Sequence, residues 1–476
     1  MTSDKPNETY RQLSCFDEAE PSDASQNILR DDLVGAAIEK SALGNDVDAL
    51  MESIADELNI EIAWARVKAN RGAPGPDGIT VEDFPQWFRP QWETVRRQLL
   101  DGTYRPSPAR RVSIDKPGGG TRDLGIPNLI DRVLQQAIVL VLTPIFDPEF
   151  SESSFGYRPH RSAQDAVRQV QKIIRSGRRR CVDMDLSKFF DRVHHDVLMA
   201  RVSRKVHDKR LLKLIGRYLR AGVMVDGSCQ PSDQGTMQGG PLSPLLSNIY
   251  LDALDKELER RSLPFVRYAD DFVIFTKSNA AAERVYASVE RFLTAKLKLT
   301  VNHDKSSVRK TDGLEYVGYE FRGFGGQIRI SRKKLDAFKQ RSADIFRRNR
   351  GVPMQNRFAE FRCYAQGWLG YFALDQVKTT FTDLDKWLRR RVRACYWKQW
   401  RKSQTRLRKL ISYGVSHRVA RGFAMSGKGA WRLSTTSGVQ RALSNEVLTN
   451  EGLFNLEARW LELASLRRTA QCGPAC

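Results

Sequence analysis

The chain has 476 residues and carries 78 Lys and Arg against 56 Asp and Glu, a formal net charge of +22, which exceeds one ordinary domain and points to polyanionic partners, nucleic acid before membrane. Its seven cysteines are scattered without a CxxC pair, which argues against a disulfide framework. The N-terminus has no basic region followed by an apolar core, and the longest apolar run, 137–146, is short and contains Pro144, so neither a signal peptide nor a membrane span is expected.

The charge is unevenly spread. Residues 1–60 hold 14 acidic and 4 basic side chains, and residues 331–410 hold 22 basic and 6 acidic. Residues 1–50 therefore read as an acidic, flexible leader. Asn70-Arg-Gly-Ala-Pro-Gly-Pro-Asp-Gly78 is dense in turn formers. A second turn, Lys116-Pro-Gly-Gly-Gly120, separates strand-like segments 111–114 and 122–126, a hairpin from which Lys116 and Arg122 can project. Helical patterning follows over 131–142 and 163–174.

In Cys181-Val-Asp-Met-Asp-Leu186 strict alternation places Val182, Met184 and Leu186 on one face and Asp183 and Asp185 on the other. Helices are expected over 196–221. The glycine-rich Gln234-Gly-Thr-Met-Gln-Gly-Gly-Pro-Leu-Ser-Pro244 then opens another helix. Phe265-Val-Arg-Tyr-Ala-Asp-Asp-Phe-Val-Ile-Phe275 reads as a hairpin with Asp270 and Asp271 at its tip. A helix over 280–297 and strands over 315–322 and 327–330 close this part. Mixed strands and helices give an α+β catalytic unit over 51–325. A helical, basic region follows over 326–410, and a C-terminal tail over 411–476.

Carboxylates in an apolar segment are costly to desolvate unless a cation or dense hydrogen bonding compensates. A bound metal is one answer and an ordinary Asp-containing surface turn is the other. Bringing Asp185 to the Asp270/Asp271 pair would make a hard-oxygen pocket suited to magnesium and to phosphoryl transfer by two ions. Lys116 and Arg122 would then supply cations to a triphosphate.

Tyr268-Ala-Asp-Asp271, Asp183-Met-Asp-Leu-Ser-Lys-Phe-Phe-Asp191, Gln238-Gly-Gly-Pro-Leu-Ser-Pro244 and Leu314-Glu-Tyr-Val-Gly-Tyr319, in that family's order along the chain, together resemble the motif blocks of reverse transcriptases. Within that superfamily the chain resembles a bacterial group II intron-encoded protein, a combined reverse transcriptase and maturase. Supporting blocks are 70–78, Ser154-Phe-Gly-Tyr-Arg-Pro159, Asn302-His-Asp-Lys305, Gly367-Trp-Leu-Gly-Tyr-Phe372, Ser426-Gly-Lys-Gly-Ala-Trp-Arg432 and Gln440-Arg-Ala-Leu-Ser-Asn445.

The resemblance implies a right-hand polymerase, with fingers and an antiparallel palm sheet, followed by a helical thumb and maturase region. It implies two Mg2+ ions held by Asp185, Asp270, Asp271 and the Leu186 carbonyl. Phe190 would exclude a 2′-hydroxyl, the other reading being a core aromatic, and Gln238 would line the nucleotide pocket; Lys305 would sit at the leaving pyrophosphate or be a solvated lysine. Implied partners are group II intron RNA or another RNA template, a DNA primer or target, and dNTPs, in the bacterial cytoplasm and nucleoid. The sequence contains no HNH pattern, so an endonuclease domain is expected to be absent. Met237 stands where the family commonly has a proline.

The basic run Trp387-Leu-Arg-Arg-Arg-Val-Arg393 with Trp397, Lys398, Trp400 and Arg401 fits nucleic-acid binding. Arg389, Arg390, Arg391, Arg393, Lys398 and Arg401 are the expected phosphate contacts. The tryptophans either stack on bases or pack the helical core. Two other functions remain open on the sequence: a host-serving reverse transcriptase in DNA repair or phage defence, and an RNA-binding splicing factor without significant polymerase activity. Monomer or dimer is also open.

Overall fold

The computed structural model describes residues 49–115, 121–225, 228–230 and 234–471. Nearly all of the acidic leader, and Lys116, lie outside the described residues. The chain divides into two compact units, Met1–Lys310 and Thr311–Cys476. The strands over 314–330 therefore go with the helical unit, although their pattern had suggested that they close the first part.

Among the described residues the first unit holds two four-stranded sheets. One contains β1 (Ala109–Asp115), β2 (Thr121–Ile126), β4 (Val223–Val225) and β5 (Ser228–Gln230) in the order β2-β1-β4-β5. Its β1/β2 hairpin runs from Arg110↔Ile126 to Asp115↔Thr121. The other contains β3 (Arg180–Met184), β6 (Phe265–Tyr268), β7 (Asp271–Thr276) and β8 (Ser307–Lys310) in the order β6-β7-β3-β8, antiparallel throughout. Here β3 is central. Val182 and Met184 are buried, while Asp183 stays partly exposed on the opposite face, as the alternation requires.

Helices pack against these sheets. Helix Ala163–Arg175 starts at a capping box in which Ser162 and Asp165 satisfy each other's backbone N–H. The helical stretch Leu129–Glu149 is long and apolar enough to cross a membrane by length and composition alone. Val133, Leu134, Ala137, Ile138 and Leu142 on it are nevertheless fully buried in the unit's core. Their apolarity is accounted for by burial against protein.

The second unit opens with β9 (Leu314–Tyr316), β10 (Tyr319–Arg322) and β11 (Gln327–Ile330), in the order β11-β10-β9. The segment expected as one strand over 315–322 is thus two antiparallel strands. Val317 and Gly318, both at positive φ, turn the chain between them. Helices Arg332–Ile345, Met354–Phe372 and Lys378–Gln399 follow, around an aromatic cluster in which the Phe338 and Trp368 rings lie 4.1 Å apart. The buried Asp385 accepts the first backbone N–H groups of helix Leu456–Gln471, from Leu456 at 3.2 Å and Glu457 at 3.0 Å. One helix therefore caps the start of another.

Candidate active site

Pairing in the second sheet brings the aspartates together. β3 and β7 are neighbours in the register Met184↔Phe272, so Asp185, one residue past Met184, lies beside Asp271 at the same sheet edge. β6 and β7 close at Tyr268↔Asp271, which leaves Ala269 and Asp270 as a two-residue turn. Ala269 takes φ +57 there.

Asp185 is held by the turn that follows helix Asn279–Leu297. Asn302 donates from its backbone to the Asp185 carbonyl at 2.9 Å and from its side chain to Asp185 Oδ2 at 3.0 Å. The Asp185 N–H donates to Ser306 Oγ at 3.0 Å. Lys305 Nζ stands 4.0 Å from Asp185 Oδ2, and its side chain is 70% exposed. Arg309 lies 3.7 Å from Asp183. Asn302 and Ser306 were not singled out by the sequence reading, although the block quoted there begins at Asn302.

Asp271 keeps an exposed surface. Crowding by protein atoms, and then the charges of Asp270, Asp185 and Asp183, nevertheless raise its carboxyl above the ordinary carboxylate range, while Lys305 opposes the rise. The site thus concentrates more negative charge than its own cations balance. Among the described residues no group of three His, Cys, Asp or Glu side chains is already drawn in around a single ion position. The donor chemistry and the charge excess nonetheless fit a hard divalent cation. Leu186 fits as well: its bridge to Val301 is made by the Ser187 N–H to Thr300 and the Asn302 N–H to Asp185, so those bonds leave the Leu186 carbonyl unused.

The structure locates the other expected nucleotide contacts unevenly. Phe190 is only 6% exposed and meets Phe189 edge-on with ring centroids 5.2 Å apart. Arg122 is on β2 opposite Ile114, and its side chain lies outside the described residues, as does Lys116. Gln238 is partly buried, and its carbonyl accepts from Gly125 N at 2.8 Å, docking the glycine-rich loop on β2. A Cβ on Gly239, at φ +120, would fall 2.5 Å from the Gly125 carbonyl oxygen, and one on Gly125 would fall 2.4 Å from Met237 Cγ. Ser243 Oγ donates to the Met237 carbonyl at 2.6 Å. Met237 in place of proline therefore leaves the loop pinned.

Sequence reasoning missed one buried group beneath the aspartates. Arg267, in the middle of β6, is fully buried and paired with the fully buried Asp255. A charged residue inside Phe265-Val-Arg-Tyr268 was the available signal.

In the second unit Arg390, Arg391, Lys398 and Arg401 retain exposed or partly exposed surface. Arg391 and Lys398 join Arg347, Arg348 and Asn349 around a cavity of 350 Å³ with no acidic side chain in its lining. Arg389 is partly exposed near Asp385 and Glu457. Arg393 departs from expectation: it is buried, donating to the Leu443 carbonyl at 2.8 Å and Asn445 Oδ1 at 3.0 Å, so it fastens the C-terminal helices. Trp397 and Trp400 are buried too, 1% and 6% exposed, and are core residues rather than stacking platforms. Arg390 stacks on Trp431 with its guanidinium 4.0 Å from the ring centre.

An antiparallel sheet with aspartates gathered at the ends of adjacent strands is an arrangement suited to the palm of a nucleic-acid polymerase. The comparisons agree: residues 114–321 match the family described as reverse transcriptase (RNA-dependent DNA polymerase), and residues 335–413 match the group II intron maturase-specific domain. Protein YkfC of Escherichia coli (strain K12) is 33% identical over 306 residues, covering 55% of this chain and 80% of YkfC. Group II intron-encoded protein LtrA of Lactococcus lactis subsp. cremoris is 26% identical over 367 residues, covering 63% of this chain and 60% of LtrA. A solved partial Cas6-RT-Cas1–Cas2 complex contains a chain 27% identical, with a TM-score of 0.34, over 52% of this chain and 43% of that one. The chain belongs to the family of group II intron-encoded reverse transcriptases with a maturase domain. It is an RNA-directed DNA polymerase by class, and that class works with divalent metal ions.

Proposed function

We propose that the chain copies RNA into DNA by nucleotidyl transfer at the β3/β7 edge, and that its second unit binds group II intron RNA to assist splicing and retromobility. The observation that carries the first part is the register Met184↔Phe272, which sets Asp185 beside the Asp270/Asp271 hairpin. Asp185, Asp270 and Asp271, with the Leu186 carbonyl, are the residues to hold two Mg2+ ions. When bound, divalent cations supply activation of the primer 3′-hydroxyl and charge neutralisation at the triphosphate.

The protein's own groups do the rest. Asn302 and Ser306 fix Asp185. Lys305, on its exposed stem beside that carboxylate, reaches toward the leaving group as proton donor or counter-charge. The Gln238 loop docked on β2 borders the nucleotide position. Phe190, though packed edge-on against Phe189, is the residue for the sugar gate. In the second unit Arg347, Arg348, Arg391 and Lys398 are suited to RNA phosphates, in the bacterial cytoplasm where template and DNA target meet.

The test is primer extension on an RNA template with dNTPs and magnesium, comparing wild type with Asp270→Ala, each checked for folding and RNA binding. Extension lost with binding retained is the expected result. A folded, RNA-binding wild type that makes no DNA across divalent ions and primers would falsify the polymerase assignment.

A further inference from the structure

Resting on the polymerase reading above, we propose that Arg267, with Asp255 and Asn248, is a positioning device that fixes the Ala269–Asp270 turn and so sets where the catalytic carboxylates stand.

The guanidinium spans two anchors. Its Nε donates to Asp255 at 2.8 and 3.0 Å and its Nη2 donates to Asp255 Oδ2 at 2.6 Å. Its Nη1 donates to Asn248 Oδ1 and to the Ala269 carbonyl, both at 2.9 Å. The Ala269 carbonyl belongs to the peptide that leads directly into Asp270. Asp255 and Asn248 both lie on helix Ser243–Arg260, so the turn is tied through one side chain to a rigid element. Only a forked, planar cation can hold a carboxylate on one edge and a backbone carbonyl on the other.

A second tie closes the arrangement. Asn248 Nδ2 donates to the Gly156 carbonyl at 2.9 Å. Gly156 lies so close beneath the turn that a Cβ there would fall 2.2 Å from Ala269 N. The segment leading into Gly156 is bridged to β6 at one point, Ser154 beside Arg267: Arg267 N donates to the Ser153 carbonyl and Phe155 N to the Arg267 carbonyl, each at 2.9 Å. Ala269 is held at φ +57, a conformation that alanine rarely adopts. A turn with that intrinsic reluctance stays formed only where its surroundings enforce it. The block Ser154-Phe-Gly-Tyr-Arg-Pro159, which the chemistry above leaves without a task, is thereby given one as the seat of the turn.

Arg267→Lys keeps the charge beside Asp255 but removes the fork, and Asn248→Ala keeps the Arg267–Asp255 pair but removes the tie to Gly156. Single-nucleotide incorporation is measured for both across a magnesium titration, with melting temperature and RNA affinity followed in parallel. The expected result is a fall in the incorporation rate on the order of 10²-fold, as for a displaced reacting group, with a higher magnesium requirement and unchanged RNA affinity. Ile249→Val, a buried apolar position on the same helix with no part in these hydrogen bonds, serves as a matched destabilised control and should leave the magnesium requirement where it is. If Arg267→Lys does not fold, Asn248→Ala decides alone. A wild-type rate and magnesium profile in folded variants overturns the inference while leaving the polymerase reading intact. No extension by the wild type overturns both.

Discussion

Lys305 is the residue whose chemistry is most open to measurement. Its ammonium is 4.0 Å from Asp185 and its side chain is 70% exposed, so it is free to swing toward a bound triphosphate. If it protonates the leaving group, Lys305→Ala should lower the turnover rate by about 10²-fold or more, since a positioned acid contributes roughly 10²–10⁴. Nucleotide KM should change little. A fall of only a few-fold would assign it to charge balance alone. Asp131 makes a different point about single carboxylates. It is 1% exposed and accepts from the Tyr104 hydroxyl, the Tyr218 hydroxyl and Ser107 N. Burial outweighs those bonds and pushes its carboxyl up to about 6. A carboxyl raised in the folded state favours folding below its unfolded value near 4, and that contribution is lost as pH rises through about 6. Asp131→Asn removes the titration. Relative to wild type, the variant should therefore gain stability between pH 4 and 7, by about 3 kcal/mol at most. Thermal melts of both proteins across that range check it, and parallel curves would reject the mechanism.

At the scale of elements, the glycine-rich loop after β5 shows which features a sequence reveals. Its role as a helix-opening loop was legible from composition. That its backbone docks on β2 was not, because the docking depends on the missing side chains of Gly239 and Gly125. Gly239→Ala would place a methyl group 2.5 Å from the Gly125 carbonyl oxygen at φ +120, which forces the loop off the strand. The expected outcome is a raised KM for dNTPs with near-normal RNA affinity, read by steady-state incorporation; an unchanged KM would separate this loop from nucleotide binding. The β3 alternation was legible for the converse reason, since period-two burial writes itself into residue type. The break between β9 and β10 was hidden. Val317 is β-branched and sits at φ +46, a conformation that its residue type argues against, so the pattern read as one continuous strand.

At the scale of the whole molecule, the charge surplus was visible in the sequence, but its distribution between surface and interior was not. Residues 331–410 carry 22 basic side chains, and counting them cannot tell a phosphate contact from a structural tie. Burial can. Helix Lys378–Gln399 is buried all round over 392–397, which takes in Arg393 and Trp397, and Trp400 just past its end is buried as well. Lys398 and Arg401 are exposed. The two groups should behave differently toward salt. For single-stranded RNA each lost phosphate contact lowers the slope of log affinity against log salt by about 0.7. Replacing Arg348 and Lys398 together by Ala should weaken RNA binding and reduce that slope by about 1.4 with little change in melting temperature. Arg393→Ala leaves the Leu443 carbonyl and Asn445 without their donor, so it should lower the melting temperature of the second unit and leave the slope unchanged. Filter binding over a salt series, paired with thermal melts, separates the two. A slope that falls for Arg393→Ala and holds for the double variant would reverse the assignment and place RNA on a face other than the cavity lined by Arg347, Arg348, Arg391 and Lys398.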